Sequence, residues 1–265
     1  MAELDNDVQT MRGSEVKLLE GKNAIITGCA RGIGNAMLKA FAHNGANVWA
    51  CCRKPTAEFE ALTSELSGTC GVWIRPLYFD LTDAAAMKEA VKVIMATKAP
   101  VDILVNNAGV TYNALFQMTS LEKLREVFDI NFFSHLQFSQ YIVKLMVRQK
   151  SGSVVNVTST AALDANPGRS GYGASKAALL CMTRAMAHEL ADQNIRVNAI
   201  APGITETDMV QASMTVQAIQ AAVEATRLKR MGDPAEIADA AVFLGSELAS
   251  YVTGEVIRVD GGLQN

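Results

Sequence analysis

Tyr172 and Lys176 stand four residues apart in the run Tyr172-Gly-Ala-Ser-Lys176, so on a helix they share one face. A phenol with an ordinary pKa near 10 is a poor acid–base catalyst at neutral pH. An ammonium about 4–5 Å away, at an effective dielectric of about 20, would lower that value by roughly 2–3 units. Tyr172 would then serve general acid–base chemistry. Ser159 lies 13 residues earlier, just past an apolar run, and adds a hydroxyl.

A second constellation handles phosphate. Thr27-Gly28-Cys29-Ala30-Arg31-Gly32-Ile33-Gly34 follows the apolar run Asn23–Thr27 and leads into an amphipathic segment. Glycines there let the backbone turn and approach a pyrophosphate, and the helix N-terminus offers free N–H groups to its charge. The second apolar run ends Cys51-Cys52-Arg53-Lys54. A carboxylate at that tip would bind the ribose of NAD and repel a 2′-phosphate. Cys52 stands there instead, and Arg53 together with Arg31 favours NADP(H) as cofactor.

These groups need a scaffold. Seven short β-rich runs read as strands: Asn23–Thr27, Ala46–Cys51, Gly71–Phe79, Asp102–Asn106, Ser153–Thr158, Arg196–Ile200 and Glu255–Val259. None alternates strictly, as expected when both faces of a parallel sheet are covered. Helical patterns fill the gaps at Asn35–His43, Ala57–Leu66, Ala84–Thr97, Leu121–Lys150 with a break, Gly173–Ala191 and Pro234–Leu248. Such alternation predicts an α/β, doubly wound sheet with right-handed crossovers. Residues 1–20 read as a flexible arm and 21–265 as one domain, interrupted only by the long insertion Thr205–Arg230.

Over residues 21–265 the chain resembles the short-chain dehydrogenase/reductase family. The resemblance rests on the glycine loop, Asp80-Leu81, Asn106-Asn107-Ala108-Gly109, Asn131, Ser159, the Tyr172–Lys176 run and Pro202-Gly203. It implies a Rossmann fold with a seven-stranded parallel sheet and an NADP(H)-dependent oxidoreductase acting on CH–OH and C=O groups. Tyr172 would protonate the carbonyl oxygen and Ser159 would polarise it. Lys176 would also hold the nicotinamide ribose, and Asn131 would anchor a water relaying protons to Lys176. Gly28, Ala30, Arg31, Gly32, Ile33, Gly34, Arg53, Asp80, Leu81, Asn107, Ala108, Gly109, Pro202, Gly203, Thr205 and Thr207 would line the cofactor site with Tyr172 and Lys176.

The phrases Arg227-Leu-Lys-Arg230-Met-Gly-Asp-Pro234, Tyr251–Gly262 and Pro202–Met209 are similar to the 3-oxoacyl-[acyl-carrier-protein] reductase branch, which serves fatty acid biosynthesis. They also occur in reductases of sugars, steroids and small ketones. Positions where carrier-handling relatives keep basic residues match Lys150 and Gln193 here. Tyr112, Phe116, Leu163, Asp164 and Met209 are the further candidates to line a substrate pocket with Ser159 and Tyr172. A non-catalytic dinucleotide-binding protein on the same fold is the alternative of a different class. The expected partners are a small ketone or acyl thioester and further copies of the chain, as a homotetramer or a dimer. The apolar side chains of Leu121–Lys150 and Gly173–Ala191 exceed what one helix face needs.

Composition sets the remaining bounds. The 265 residues are 49% hydrophobic and 19% charged, enough apolar surface for a large core. Twenty-four basic against 27 acidic residues give a net charge of −3, without the clustered basic excess that nucleic acid or an anionic membrane requires. No apolar run approaches the roughly 18 residues of a membrane span. The acidic opening Met1-Ala-Glu-Leu-Asp-Asn-Asp does not read as a secretory leader, so a cytoplasmic protein is expected. Cys29, Cys51, Cys52, Cys70 and Cys181 form no CxxC pair and read as reduced thiols. His43, His135 and His188 lack a second ligand at metal spacing and read as ordinary helix residues, with no metal site.

Overall fold

The computed structural model describes residues 16–164 and 166–263. Seven parallel strands form one sheet: β1 Asn23–Thr27, β2 Asn47–Cys52, β3 Ile74–Tyr78, β4 Ile103–Asn106, β5 Gly152–Val157, β6 Ile195–Pro202 and β7 Val256–Val259. Their order is β3-β2-β1-β4-β5-β6-β7. Successive side chains of each strand feed opposite faces. Ile26, Val105 and Val155 enter one core with Met37, Phe41 and Leu244; Ile25, Leu104 and Val154 enter the other with Met87, Phe138 and Ile142. Both faces of the five inner strands are therefore dry, which is why those strands read as near-continuous apolar runs.

The main helices are α1 Gly32–His43, α2 Ala57–Cys70, α3 Ala84–Ala96, α4 Leu121–Phe128, α5 Ser134–Gln149, α6 Ser170–Leu190, α7 Asp208–Ser213, α8 Val216–Glu224 and α9 Pro234–Gly245. Several have side-chain caps of the expected kind. Thr56 accepts from Phe59 N at 3.2 Å, Asp83 caps α3, and Asp233 closes a capping box with Glu236. The break expected between Leu121 and Lys150 is a π turn, Asp129–Phe133, inserted between α4 and α5.

Three differences from expectation bear on the packing. Helix α2 continues to Cys70, stopped by left-handed Gly71, so β3 begins only at Ile74. The insertion Thr205–Arg230 contains two helices, α7 and α8. Of the expected arm, residues 1–15 lie outside the described residues; Leu19 is fully buried, and its N–H donates to Asn44 O at 2.9 Å. The packed body therefore already includes Leu19. Among the described residues, no helix is long and apolar enough to cross a membrane.

Candidate active site

Strand order reverses between β1 and β4, and the carboxyl edge at that switch opens into a cleft of about 2060 Å³. Every residue expected to hold cofactor lines it. At Gly28 the backbone is left-handed, with φ +75°. A β-carbon at Gly34 would sit 2.1 Å from Gly28 O, so only glycine lets α1 pack this close to the loop. Arg31 leads into α1, and no side chain caps that helix. Its first N–H groups are thus left to a ligand's phosphates, in contrast to the capped ends of α2, α3 and α9.

At the far end of the cleft lie Cys52, Arg53, Asp80 and Leu81. Burial pushes the Cys52 thiol up to about 12, so it stays neutral. Asp80 accepts from Thr82 N at 2.9 Å and Thr82 Oγ1 at 2.7 Å, which, with a smaller contribution from Arg53, holds its carboxyl below the usual range. Arg31 and Arg53 are exposed on this wall. The residues present fit a dinucleotide, with two cations and no carboxylate at the tip of β2.

The catalytic candidates meet at the ends of β5 and α6. Ser159 follows β5 and caps a single 3-10 turn, Thr160–Ala162, accepting from Ala161 N at 3.2 Å. Helix α6 packs onto that turn so tightly that a β-carbon at Gly173 would lie 2.5 Å from Ala161 O. This approach places the Tyr172 hydroxyl beside Ser159. Lys176, one turn further along α6, is buried and donates to Val157 O at 2.9 Å. Burial pulls its ammonium down to about 8.

One electrostatic expectation is corrected. Burial raises the Tyr172 hydroxyl above its ordinary value, and the groups opposing this are Ser159 and Arg169, not Lys176. The Lys176 ammonium is turned to Val157 O. Helical spacing fixes a shared face but does not fix where a long side chain ends.

Asn131 is fully buried in the π turn. Its Oδ1 accepts from Val110 N at 2.9 Å, and its Nδ2 donates to Val110 O at 2.9 Å and Ser175 Oγ at 3.1 Å. The Ser175 hydroxyl donates to Tyr172 O at 2.7 Å. Asn131 therefore ties the segment after β4 to the first turns of α6. Its side-chain amide clamps backbone and does not point into the cleft as an open water ligand.

Four expected substrate contacts fall outside the cleft wall. The Tyr112 hydroxyl accepts from Ser120 N at 3.1 Å and stiffens its own loop. Phe116 is 83% exposed on a short 3-10 turn. Leu163 lies beyond the turn that Ser159 caps and is 37% exposed. Asp164 is held by Arg258 at 3.0 and 2.7 Å. Met209 does line the cleft, with Val210, Met214 and Ala218 from α7, α8 and their link. Lys150 and Gln193 lie two residues before the N-termini of β5 and β6, at the sheet edge opposite the cleft.

Four contributors were given no role in the site from the sequence. Thr27 Oγ1 accepts from Asn107 N at 2.9 Å and Ala108 N at 3.1 Å, fixing the loop after β4. His135 Nε2 pairs with Ala108 O at 2.6 Å. Arg169 stands beside the Tyr172 ring. Thr27 and Ser175 carried a signal, their places inside the glycine-loop run and the Tyr172–Lys176 run.

A family model described as Enoyl-(Acyl carrier protein) reductase matches residues 28–264. The chain is 40% identical to the 3-oxoacyl-[acyl-carrier-protein] reductase of Thermotoga maritima, covering 92% of this chain and 98% of that one. It is 38% identical to the 3alpha-hydroxysteroid dehydrogenase of Mediterraneibacter gnavus, covering 94% and 99%. The solved 3-oxoacyl-[acyl-carrier protein] reductase of Brucella melitensis superposes with a TM-score of 0.85 at 33% identity, covering 93% of this chain and 92% of that one. On these matches, over most of its length, the chain belongs to the short-chain dehydrogenase/reductase family, oxidoreductases acting on CH–OH and C=O groups.

Proposed function

We propose that the protein is an NADPH-dependent reductase of ketones, with a 3-oxoacyl thioester as the substrate its relatives favour. The observation that carries this reading is the Ser159–Tyr172 hydroxyl pair on the cleft wall, with buried Lys176 one turn behind it. When bound, NADPH supplies the hydride to the carbonyl carbon. Tyr172 donates its hydroxyl proton to the carbonyl oxygen, and Ser159 donates a hydrogen bond to that oxygen. Lys176 would return a proton towards Tyr172 and, leaving Val157 O, would hold the cofactor's ribose. Asn131 positions the wall. Arg31, Arg53 and the neutral Cys52 thiol support the 2′-phosphate over a free ribose hydroxyl. Consumption of NADPH with S-(3-oxobutanoyl)-N-acetylcysteamine tests the reading; no consumption with this ketone or with simpler ones overturns it.

A steroid or sugar ketone is the second reading, favoured by the steroid-dehydrogenase relative and by a cleft large enough for either. A role in fatty acid biosynthesis follows only from the first. A cytoplasmic location suits the buried thiols of Cys29, Cys51 and Cys52, all pushed up by burial. A homotetramer is supported by the apolar surface of the α4–α5 region: Phe133 is 53% exposed and packs at 5.2 Å on Phe132, and Leu121 is 61% exposed. Two-fold pairing there and at the β7 edge would close a tetramer. Light scattering at micromolar concentration should give four copies, and a clean monomer contradicts it.

A further inference from the structure

Arg169 enters the cleft beside the proposed proton donor, and no carboxylate meets it. Its guanidinium carbon lies 5.6 Å from the centre of the Tyr172 ring. One terminal nitrogen reaches the Thr111 hydroxyl and the other the Met214 thioether, each at 3.3 Å. Among the described residues, no Asp or Glu pairs with it. Two other arginines on the described chain do meet carboxylates: Arg258 holds Asp164 and Asp260, and Arg230 holds Glu236. A guanidinium offers five donors in a planar fork suited to oxygen acceptors. Here a neutral hydroxyl, at a long 3.3 Å, and a weak sulfur acceptor occupy two of them.

The backbone fixes where this cation starts. Arg169 N donates to Asn166 O at 3.1 Å, and Arg169 O accepts from Gly173 N at 2.7 Å. The residue is thereby locked into the start of the helix that carries Tyr172, three positions on. Its two side-chain partners lie on different parts of the cleft wall: Thr111 follows β4, and Met214 links α7 to α8. The half-buried guanidinium therefore bridges the cleft close to the place where a carbonyl must meet the Tyr172 hydroxyl. Beyond it the wall is apolar, formed by Met209, Val210, Ala218 and Ala221.

We propose that Arg169 is the substrate-recognition residue, donating to an oxygen that the substrate carries a few bonds from its reacting ketone. This rests on the ketone-reductase reading and narrows it: 3-oxo acids, esters and thioesters are selected over simple ketones. The apolar wall takes the alkyl part. The shared chemistry is a second oxygen acceptor, supplied by a carboxylate or by a thioester carbonyl.

Arg169 also draws the Tyr172 hydroxyl downward, so its loss alters turnover of every ketone. The ratio of kcat/KM between two substrates cancels that common factor. The test compares 3-oxobutanoate, S-(3-oxobutanoyl)-N-acetylcysteamine and 2-pentanone with NADPH, in the wild type and in Arg169→Met. A hydrogen bond to a charged group predicts a preference of roughly 10- to 100-fold for one or both oxygen-bearing substrates. Arg169→Met should collapse it to under about threefold, with Arg169→Lys between. Carboxylate or thioester as the better substrate identifies the natural acceptor. An unchanged ratio in Arg169→Met overturns the proposal whatever the absolute rates.

Failure of the wild type on all three ketones would count against the reductase reading instead. Recognition is then read without turnover, by calorimetric titration of both proteins, in the presence of NADP⁺, with S-butanoyl-N-acetylcysteamine and with butanoate. Binding of either probe weakened at least about tenfold in Arg169→Met sustains the role of Arg169. Equal binding, or no binding to the wild type, overturns it.

Discussion

The side chain of Asn131 grips both backbone groups of Val110, accepting from its N–H and donating to its carbonyl, each at 2.9 Å. The grip works across 21 residues and joins the π turn to the segment that walls the cleft. Gly109 sits inside it: a β-carbon there would lie 3.1 Å from Asn131 Oδ1 and 3.3 Å from Lys176 Nζ. Asn131→Ala removes these bonds and leaves partly buried backbone groups unpaired. It should lower unfolding free energy by about 2–4 kcal/mol in urea melts. Asn131→Asp keeps the acceptor and loses the donors, so it should fall between. Wild-type stability in Asn131→Ala would contradict the clamp.

Cofactor choice follows from Arg31, Arg53 and the uncharged Cys52. NADPH should bind at least tenfold more tightly than NADH, about 1.4 kcal/mol. Cys52→Asp should erase or reverse the preference, since its carboxylate would accept from a ribose hydroxyl and repel phosphate. Fluorescence titration with both dinucleotides measures this. Equal affinities in the wild type would refute it.

His135 makes stability depend on pH. Burial and the nearby Lys176 ammonium hold its folded-state pKa down to about 4, while Nδ1 finds no partner. The unfolded chain titrates near 6.5, so above that value both states are neutral and nothing is lost. As pH falls from about 6.5 towards 4, only the unfolded chain takes the proton, and stability drops by up to about 1.4 kcal/mol per pH unit. His135→Gln, which keeps a donor for Ala108 O, should flatten that part of the curve. A wild-type curve with no extra slope over His135→Gln would contradict the buried neutral ring.

Helices α7 and α8 bury no residue fully and lie over the cleft beyond Pro202-Gly203. Hydrogen exchange should be fast in both without ligand and slow down when NADPH and ketone bind, as expected of a lid that excludes water. Full protection without ligand, unchanged on binding, would remove the lid.

The five inner strands were legible because a strand dry on both faces leaves a near-continuous apolar run, as in Asn23–Thr27, while the edge strands β3 and β7, only partly buried, still read as β-rich runs. The glycine loop was legible for a similar reason: Gly34 tolerates no β-carbon, so the residue type records the contact. Side chains that turn after leaving an element left no such record. The sequence places Asp164 near Ser159 but not its partner Arg258, 94 residues away. Tyr112 and Phe116 follow a strand that ends at the cleft, yet their loop turns outward. Arg169 sits three residues before Tyr172 in no motif, and only the start of α6 at Ser170 aims it at the ring.

The proton donor is the centre of the account, and removing one oxygen atom tests it. Tyr172→Phe leaves the ring, the α6 packing and the dinucleotide cradle in place. With NADPH and S-(3-oxobutanoyl)-N-acetylcysteamine, kcat should fall by roughly 10²–10⁴-fold. The dissociation constant for NADPH, titrated on the same protein, should stay within about threefold of wild type. Near-normal kcat in Tyr172→Phe, with the wild type active, would contradict the assignment of Tyr172 as the acid.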